Sequence, residues 1–269
     1  MKKTILLSFV FLGIIFTAFP QEYYHQDKYV DTATFMVWAS PKFAVQFPFG
    51  AGYLSNTFNF NYAAGLDITL KIKSNWTFGI GFDYMFGAKV KKDANDILGD
   101  MRSYTNSIPV LFNGAGNNSV TLSYEGRYWQ FGASVGKIFP VSRWKNSGFW
   151  LKFGAGYFGH KIHFTDPNNW FPQVDQKTYR LGYDQRSSAI AMNQFFGYLF
   201  MQKRRVLSFY IGVEVWEIFS KPDRGYIFAG DLKGPTDALP RKFSGLIGVK
   251  AGWVLPFYEK KRVTTYYYY

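Results

Sequence analysis

The sequence lacks cysteine altogether, has only three histidines, and contains one long hydrophobic run, which lies at its N-terminus. Without cysteine the chain can form no disulfide, no thiolate metal site and no lipid-modified N-terminal cysteine. A membrane-spanning helix needs about 20 consecutive apolar residues, and no segment after residue 20 has them. Helical periodicity is also missing there, which argues against a helical membrane protein.

The hydrophobic run has the composition of a signal peptide. Lys2 and Lys3 form a charged start, residues 5–16 form an apolar core, and polar sequence begins at Gln21. This order predicts export, with cleavage near residues 18–21. We therefore expect a signal peptide over residues 1–20 and an N-terminal periplasmic segment over residues 21–33.

Aromatic side chains and glycine are abundant, and they are arranged with a period of two. Aromatic residues make up 21% of the 269 positions, and there are 26 glycines. Between Trp76 and Gly87, large apolar residues alternate with small ones, as in a strand with one apolar face. The same alternation predicts eight strands, over residues 34–49, 58–72, 76–88, 120–138, 148–163, 188–201, 206–219 and 242–257.

The connections between the predicted strands alternate in length. Those after strands two, four and six are short, as is the one after strand one (residues 51–57), whereas those after strands three, five and seven run to about 20 to 30 residues. Short periplasmic turns and longer outer loops are typical of bacterial outer-membrane barrels. The sequence therefore predicts an all-β fold, an eight-stranded antiparallel up-and-down transmembrane β-barrel over residues 34–258, in the outer membrane of a Gram-negative-type cell.

A soluble barrel is the alternative explanation of alternating strands. Its second face would meet water and would be rich in Lys, Glu and Thr, but here that face is rich in Gly, Ala and Ser. Small residues suit the crowded lumen of an eight-stranded barrel, and large aromatic residues suit lipid. We also expect an interfacial tryptophan girdle at the periplasmic rim, formed by Trp38, Trp76, Trp144, Trp150 and Trp253.

The last predicted strand ends in a spaced pattern of a polar, a glycine, an apolar and an aromatic residue, at Lys250, Gly252, Leu255 and Phe257. This pattern resembles the C-terminal β-signal of outer-membrane proteins. The whole arrangement resembles the small eight-stranded barrels of the OmpA transmembrane domain and OmpX type, and its aromatic-rich strands look like accessory barrels of type IX secretion and related machines. The resemblance implies contact with the barrel assembly machinery during insertion. Residues 259–269 are expected to form a basic, Tyr-rich C-terminal tail.

Charged residues on the small-residue face predict a network inside the lumen. They carry both signs: Asp67, Asp83, Lys152, Glu214 and Lys250. Buried charges are costly unless they are paired, so we expect mutual neutralisation, with Glu214 paired to Lys152 or Lys250. A barrel of this size leaves no wide aqueous channel, and a narrow porin or transporter is the first alternative function.

Two histidines are the candidates for chemistry. His160 and His163 lie near the outer end of the fifth predicted strand, and Ser187 and Ser188 begin the sixth. A lipid A-modifying enzyme, with histidine as acid or base, is therefore the second alternative. The spacing puts the two histidines on opposite faces of a strand, which disfavours a shared metal ion. We therefore expect no catalytic residue, metal or cofactor. We expect the histidines and serines at this rim, together with Lys161, to bind lipopolysaccharide phosphates.

Basic residues gather at the predicted periplasmic ends of the strands, at Lys71, Lys73, Arg143, Lys145, Lys203, Arg204 and Arg205. The net charge of +13 favours anionic partners, but no nucleic acid is expected at that location. Inner-leaflet lipid or an acidic periplasmic protein fits better. We therefore expect a non-catalytic structural or interaction subunit of an outer-membrane protein complex, in contact with outer-membrane lipids, lipopolysaccharide and other outer-membrane or periplasmic proteins.

Overall fold

A computed structural model describes residues 33–92, 97–98, 102–105, 108–111, 123–141, 145–165, 177–201, 208–229 and 232–257. The predicted signal peptide, nearly all of the N-terminal segment and the C-terminal tail lie outside the described residues. The elements follow one another as β1 (Met36–Gly50), α1 (Tyr53–Thr57), β2 (Asn61–Lys71), β3 (Trp76–Lys89), β4 (Arg102–Thr105), β5 (Ile108–Leu111), β6 (Ser123–Pro140), β7 (Gly148–Thr165), α2 (Lys177–Tyr183), β8 (Ser187–Phe200), β9 (Phe209–Pro222), β10 (Tyr226–Ile227), β11 (Gly234–Pro235), β12 (Lys242–Trp253) and β13 (Leu255–Phe257).

Eight long strands form a closed antiparallel ring. They are paired in the order β1, β2, β3, β6, β7, β8, β9 and β12, and β12 returns to pair with β1. The short β13 extends β12 along β1 in the same register, because Lys42 pairs with Gly252 and Ala39 pairs with Leu255. The predicted eight-stranded up-and-down barrel is confirmed. Two small hairpins, β4–β5 and β10–β11, lie outside the ring in the long connections.

Large apolar side chains predominate on the outward face of every strand in the ring. Its exposed large side chains include Phe47, Leu66, Ile80, Phe131, Phe153, Phe196, Ile211 and Val249. On β9 the outward apolar residues run from Phe209 to Phe219. Ten residues of a tilted strand rise roughly 25 Å along a barrel axis, which is the height of the apolar band of an outer-membrane barrel. No helix in the described part of the chain is long and apolar enough to cross a membrane.

The lumen is filled in three layers. We call the end with the β2–β3, β6–β7 and β8–β9 connections the turn end, and the opposite end the loop end. An apolar cluster that includes Trp38, Trp150 and Tyr210 fills the turn end, and a second cluster with Tyr128 and Trp216 fills the loop end. Six buried charged residues lie between the two clusters along the same strands: Lys42, Asp67, Asp83, Lys152, Glu214 and Lys250.

Helix α1 contributes to the loop-end cluster, where the sequence predicted only a short connection. Leu54 is fully buried there, and the Phe58 ring packs 5.1 Å from the Tyr128 ring and 5.9 Å from the His160 ring. The β1–β2 connection therefore folds into the mouth of the barrel. Alternation could not reveal this because α1 contains only five residues.

The predicted tryptophan girdle is wrong for two of its members. Trp38 and Trp150 are fully buried inside the lumen, with ring centroids 5.9 Å apart, and the Trp150 indole donates a hydrogen bond to Thr77 Oγ1. Each is an even number of residues from an inward lysine on its own strand, so it must share that lysine's face. Trp76 is exposed and Trp253 is half-buried, while Trp144 lies outside the described residues. The outward surface at the turn end consists mainly of phenylalanine, including Phe78, Phe139, Phe149, Phe200 and Phe209.

Candidate functional site

The centre of the lumen holds a cation between two carboxylates. The Lys42 ammonium lies 2.6 Å from Asp67 Oδ1 and 2.7 Å from Asp83 Oδ2, linking β1, β2 and β3. Lys152 reaches the other oxygen of Asp67 from β7, at 3.2 Å. The side-chain amide of Gln130 donates a hydrogen bond to Asp83 from β6. Every charge in this part of the network therefore has an opposite partner.

The second part of the network joins β1, β9 and β12. Glu214 forms an ion pair with Lys250, and it accepts a hydrogen bond from Gln46 Nε2 at 2.5 Å. Glu214 is 1% exposed, as the alternation on β9 requires. Of the two predicted partners of Glu214, the structure therefore has Lys250, while Lys152 forms an ion pair with Asp67.

Two glycines make room for these carboxylates. A Cβ atom at Gly81 would lie 2.1 Å from Asp67 Oδ1, and one at Gly65 would lie 2.2 Å from Asp83 Oδ1. The small residues of the inward face are therefore a steric requirement of the network as well as of the narrow lumen.

Sequence reasoning missed Lys42 and Gln46 as members of the network. Both have even numbers on β1, like the buried Trp38, Ser40 and Ala44, so alternation on β1 was the signal that could have found them. With Lys42 included, three lysines face three carboxylates. The network is closed and neutral, which suits a rigid septum across the lumen. Within the described ranges, no group of three or more His, Asp or Glu side chains could hold a metal ion.

The histidine singled out for chemistry lies inside the loop-end cluster. His160 is 3% exposed, and its ring lies within 6.3 Å of the rings of Phe58, Tyr128 and Phe158. Ser187 is directly opposite His160 on β8, but its hydroxyl contacts the Gln185 carbonyl. Neither imidazole nitrogen has a hydrogen-bond partner among the residues that the structure describes.

His163 and Ser188 face outward, on the opposite side of their strands from His160 and Ser187. His163 pairs across the strands with Glu125, and both Ser188 and His163 are half-buried. The predicted separation of the two histidines onto opposite faces is what the structure has. No contact brings the four residues together into one constellation.

Two cations lie directly opposite each other on the outward face at the loop end. Arg127 of β6 pairs in register with Lys161 of β7, and Arg127 reaches Glu125 at 3.0 Å. Trp129 lies one row toward the membrane and Tyr157 lies two rows toward it, with their ring centroids 5.2 Å apart. This position, just beyond an aromatic pair, corresponds to the headgroup region of a membrane.

Ion pairs connect two of the long loops beyond the loop end. Both nitrogens of the Arg224 fork donate to the Asp184 carboxylate, at 3.0 and 2.5 Å, and Arg186 lies 3.1 Å from Asp223. The hydrogen bonds that the Arg224 guanidinium donates to Asp184 raise the pKa of the guanidinium above its usual range. These pairs join the segment after α2 to the turn after β9, and so they hold the loops in a defined arrangement.

The predicted basic rim at the turn end is smaller than the sequence suggested. Lys71 is fully buried, and its ammonium donates to Asn146 Oδ1 at 2.8 Å and to the Thr34 carbonyl at 3.1 Å. It faces inward because it shares the inward face of β2 with Asp67. Lys73 and Lys145 are exposed in turns as predicted, while Arg143, Lys203, Arg204 and Arg205 lie outside the described residues.

The proposed β-signal lies at the seam that closes the ring. Lys250 belongs to the lumen network, and a Cβ atom at Gly252 would lie 2.4 Å from the Tyr210 ring. Leu255 is half-buried and Phe257 is exposed on the outward face. Both residues pair with β1, so this segment forms the closing contact of the barrel.

A closed eight-stranded ring, an apolar outer belt and a filled lumen define a small β-barrel of the outer-membrane type, located in the outer membrane. The fold is similar to Ail of Yersinia pestis (12% identity, 82% of this chain and 99% of that chain, TM-score 0.40). Neisserial surface protein A is also similar (10% identity, 81% of this chain and 96% of that chain, TM-score 0.37). So is OprG of Pseudomonas aeruginosa (11% identity, 86% of this chain and 100% of that chain, TM-score 0.40). One structure of Ail is a complex with the heparin analogue sucrose octasulfate. No family model and no curated protein matches the chain.

Proposed function

We propose that this protein is a non-catalytic, non-conducting structural or interaction subunit of an outer-membrane protein complex. The observation that carries the proposal is the filled lumen. Two buried apolar clusters lie above and below a neutral network of lysines and carboxylates. A barrel without an open path acts through its outer surfaces, which are the loops, the rims and the lipid-facing strands.

Conductance across a planar bilayer tests the closed lumen. The purified barrel is expected to give no steady current steps, because side chains fill an eight-stranded lumen. The matched variant Leu54→Ala removes a side chain from the loop-end cluster only. This variant should also give no steady current, because the charge network in the centre of the lumen is intact. Stable ohmic steps in the wild-type protein would favour the narrow porin instead.

Lipid A analysis tests the absence of catalysis. A general base must be within hydrogen-bond reach of the proton that it removes, whereas His160 is enclosed by three aromatic rings. The variants His160→Ala and His163→Ala should therefore leave the lipid A of the producing cells unchanged. A modification that disappears with either histidine would favour the lipid A-modifying enzyme.

Lipopolysaccharide phosphate is the proposed ligand of the loop-end cations. Like charges directly opposite each other destabilise a strand pair, and an anion between Arg127 and Lys161 would relieve that repulsion. The variant Arg127→Gln with Lys161→Gln should retain less lipopolysaccharide after purification in mild detergent. Lys73→Gln, at the other end of the barrel, is the matched control. Equal retention in both variants would contradict this role.

Cross-linking in intact cells tests the subunit role. A photoreactive residue at Gly234 has open space around it in the β10–β11 hairpin. It should cross-link to a protein partner that binds the outer loops of the barrel. One at Lys145 should capture any periplasmic partner. The proposal fails if neither these positions nor the lipid-facing strands yield a protein–protein product.

A further inference from the structure

Two polar side chains interrupt the apolar belt on the outward faces of β8 and β9. Gln194 is exposed between Met192 and Phe196, and its amide donates to Glu217 Oε1 at 3.2 Å. Glu217 is half-buried on the outward face of β9. The pair is therefore directed at the lipid side of the barrel, away from the charge network in the lumen.

The register places this pair inside the belt. On the loop side of Glu217, Phe219 pairs with Phe243, and on the turn side Val215 pairs with Ile247. Glu217 thus lies about 5 Å inside the outermost apolar row, the axial rise of two residues in a tilted strand. Gln194 lies deeper still, since it pairs with Val215.

A carboxylate and an amide facing acyl chains are costly, and such groups in a membrane mark sites with a further partner. On the outward face of β6, Lys137 also interrupts the apolar residues, near the turn end, where its ammonium lies 5.0 Å from the centre of the Trp76 ring. On β3, Phe78, Ile80 and Phe82 follow one another on the lipid side without interruption. The β8–β9 face differs from both in carrying a hydrogen-bonded amide and carboxylate within its apolar belt.

We propose that the β8–β9 face binds a second copy of this chain within the membrane. A glutamine amide has two N–H donors and a carboxylate has two acceptor oxygens, and in the described part of the chain the pair uses one of each. The remaining donor and the remaining acceptor are complementary to each other. The patch is therefore complementary to itself, which is the requirement for a two-fold symmetric interface.

The symmetry also fits the membrane. A two-fold axis along the membrane normal, between β8 and β9, keeps equal depths opposite each other and places β8 of one copy opposite β9 of the other. Gln194 then lies diagonally from Glu217 of the partner subunit, one row apart, which is the offset that the hydrogen bond between these two residues spans within one copy. Met192, which is 56% exposed, and Phe196, which is 57% exposed, supply the apolar surround. The inference goes beyond the proposed function, since it requires neither the outer loops nor a different protein.

Cysteine cross-linking in cells that produce the full chain tests the dimer. Because the natural chain has no cysteine, Met192→Cys introduces a single thiol beside the patch. Two such thiols would lie roughly 10 Å apart across packed sheet faces, within reach of a membrane-permeable bis-maleimide. Ile80→Cys is the matched control, because β3 is four strands away from β9 in the ring of eight. Two differently tagged copies of the chain identify the product as a homodimer.

The expected result is a tagged homodimer with Met192→Cys and none with Ile80→Cys. Adding Gln194→Leu and Glu217→Leu should lower the homodimer yield roughly fivefold to tenfold, the effect of losing two modest hydrogen bonds in a membrane. Heat-dependent mobility in detergent gels checks that each variant is folded. A homodimer that persists in the double-leucine variant overturns the proposal. The proposal is also overturned if only monomer is found, or if the cross-linked product contains a different protein. A product with a different protein would contradict the homodimer but would still agree with the proposed function.

Discussion

Replacing Lys42 by methionine is expected to cost the barrel a large part of its stability. The ammonium contacts Asp67 at 2.6 Å and Asp83 at 2.7 Å, and its side chain is 2% exposed. Without it, Asp67 keeps Lys152 at 3.2 Å, whereas Asp83 keeps only the amide of Gln130. Breaking a buried pair typically costs 3–5 kcal/mol, because one charge is left uncompensated. We expect roughly 3 kcal/mol, near the lower limit of that range, because only one carboxylate loses its counter-charge.

The assay is urea unfolding of the barrel refolded in lipid vesicles, followed by tryptophan fluorescence and by gel mobility without heating. Adding Asp83→Asn to Lys42→Met removes the uncompensated charge, so it should recover most of the loss. Lys73→Met, in an exposed turn, is the matched control and should change the free energy of unfolding by less than about 0.5 kcal/mol. The reasoning is refuted if Lys42→Met unfolds within about 1 kcal/mol of the wild type, or if Asp83→Asn makes the loss greater.

Three further predictions concern other parts of the barrel. Glu214→Ala should lower the urea midpoint, and adding Lys250→Met should restore part of it; no recovery in the double variant would show that the pair is not coupled. A tag at Gly234 should be accessible on intact cells and one at Ser74 should not, and surface labelling at Ser74 would invert the assigned topology. Asp184→Asn breaks the bidentate ion pair between the loops, so limited trypsin treatment should cleave the loops faster, while unchanged cleavage would mean that the pair does not order them.

Much of the fold could be predicted because strand alternation is a local property. Phe209 and Ile211 face one way and Glu214 faces the other by backbone geometry alone, whatever the neighbouring strands are. The predicted strands 76–88 and 148–163 therefore differ by no more than two residues at either end from β3 and β7. Where alternation was set aside in favour of composition, as for Trp38 and Trp150, the prediction of an outward girdle was wrong.

The candidate site was predicted only in part, because its contacts connect distant segments. Asp67 and Asp83 were recognisable as inward acids, yet the cation between them comes from β1, 25 residues before Asp67. The same holds for α1, whose Leu54 becomes buried only because the ring provides a lumen to enter. A short segment without its own periodicity carries no signal for such a contact.

The sequence by itself determined the number of strands, the face on which each side chain lies and the length of each connection, since these follow from a period of two and from turn-forming residues. Only the tertiary structure decided which inward charges meet. Glu214 could have paired with Lys152 or Lys250 by face alone, but the register between β9 and β12 places Lys250 one row from Glu214, and the two form the ion pair. The stagger of a closed barrel sets the depth of every strand relative to the others, and that depth is a property of the whole ring rather than of any one segment.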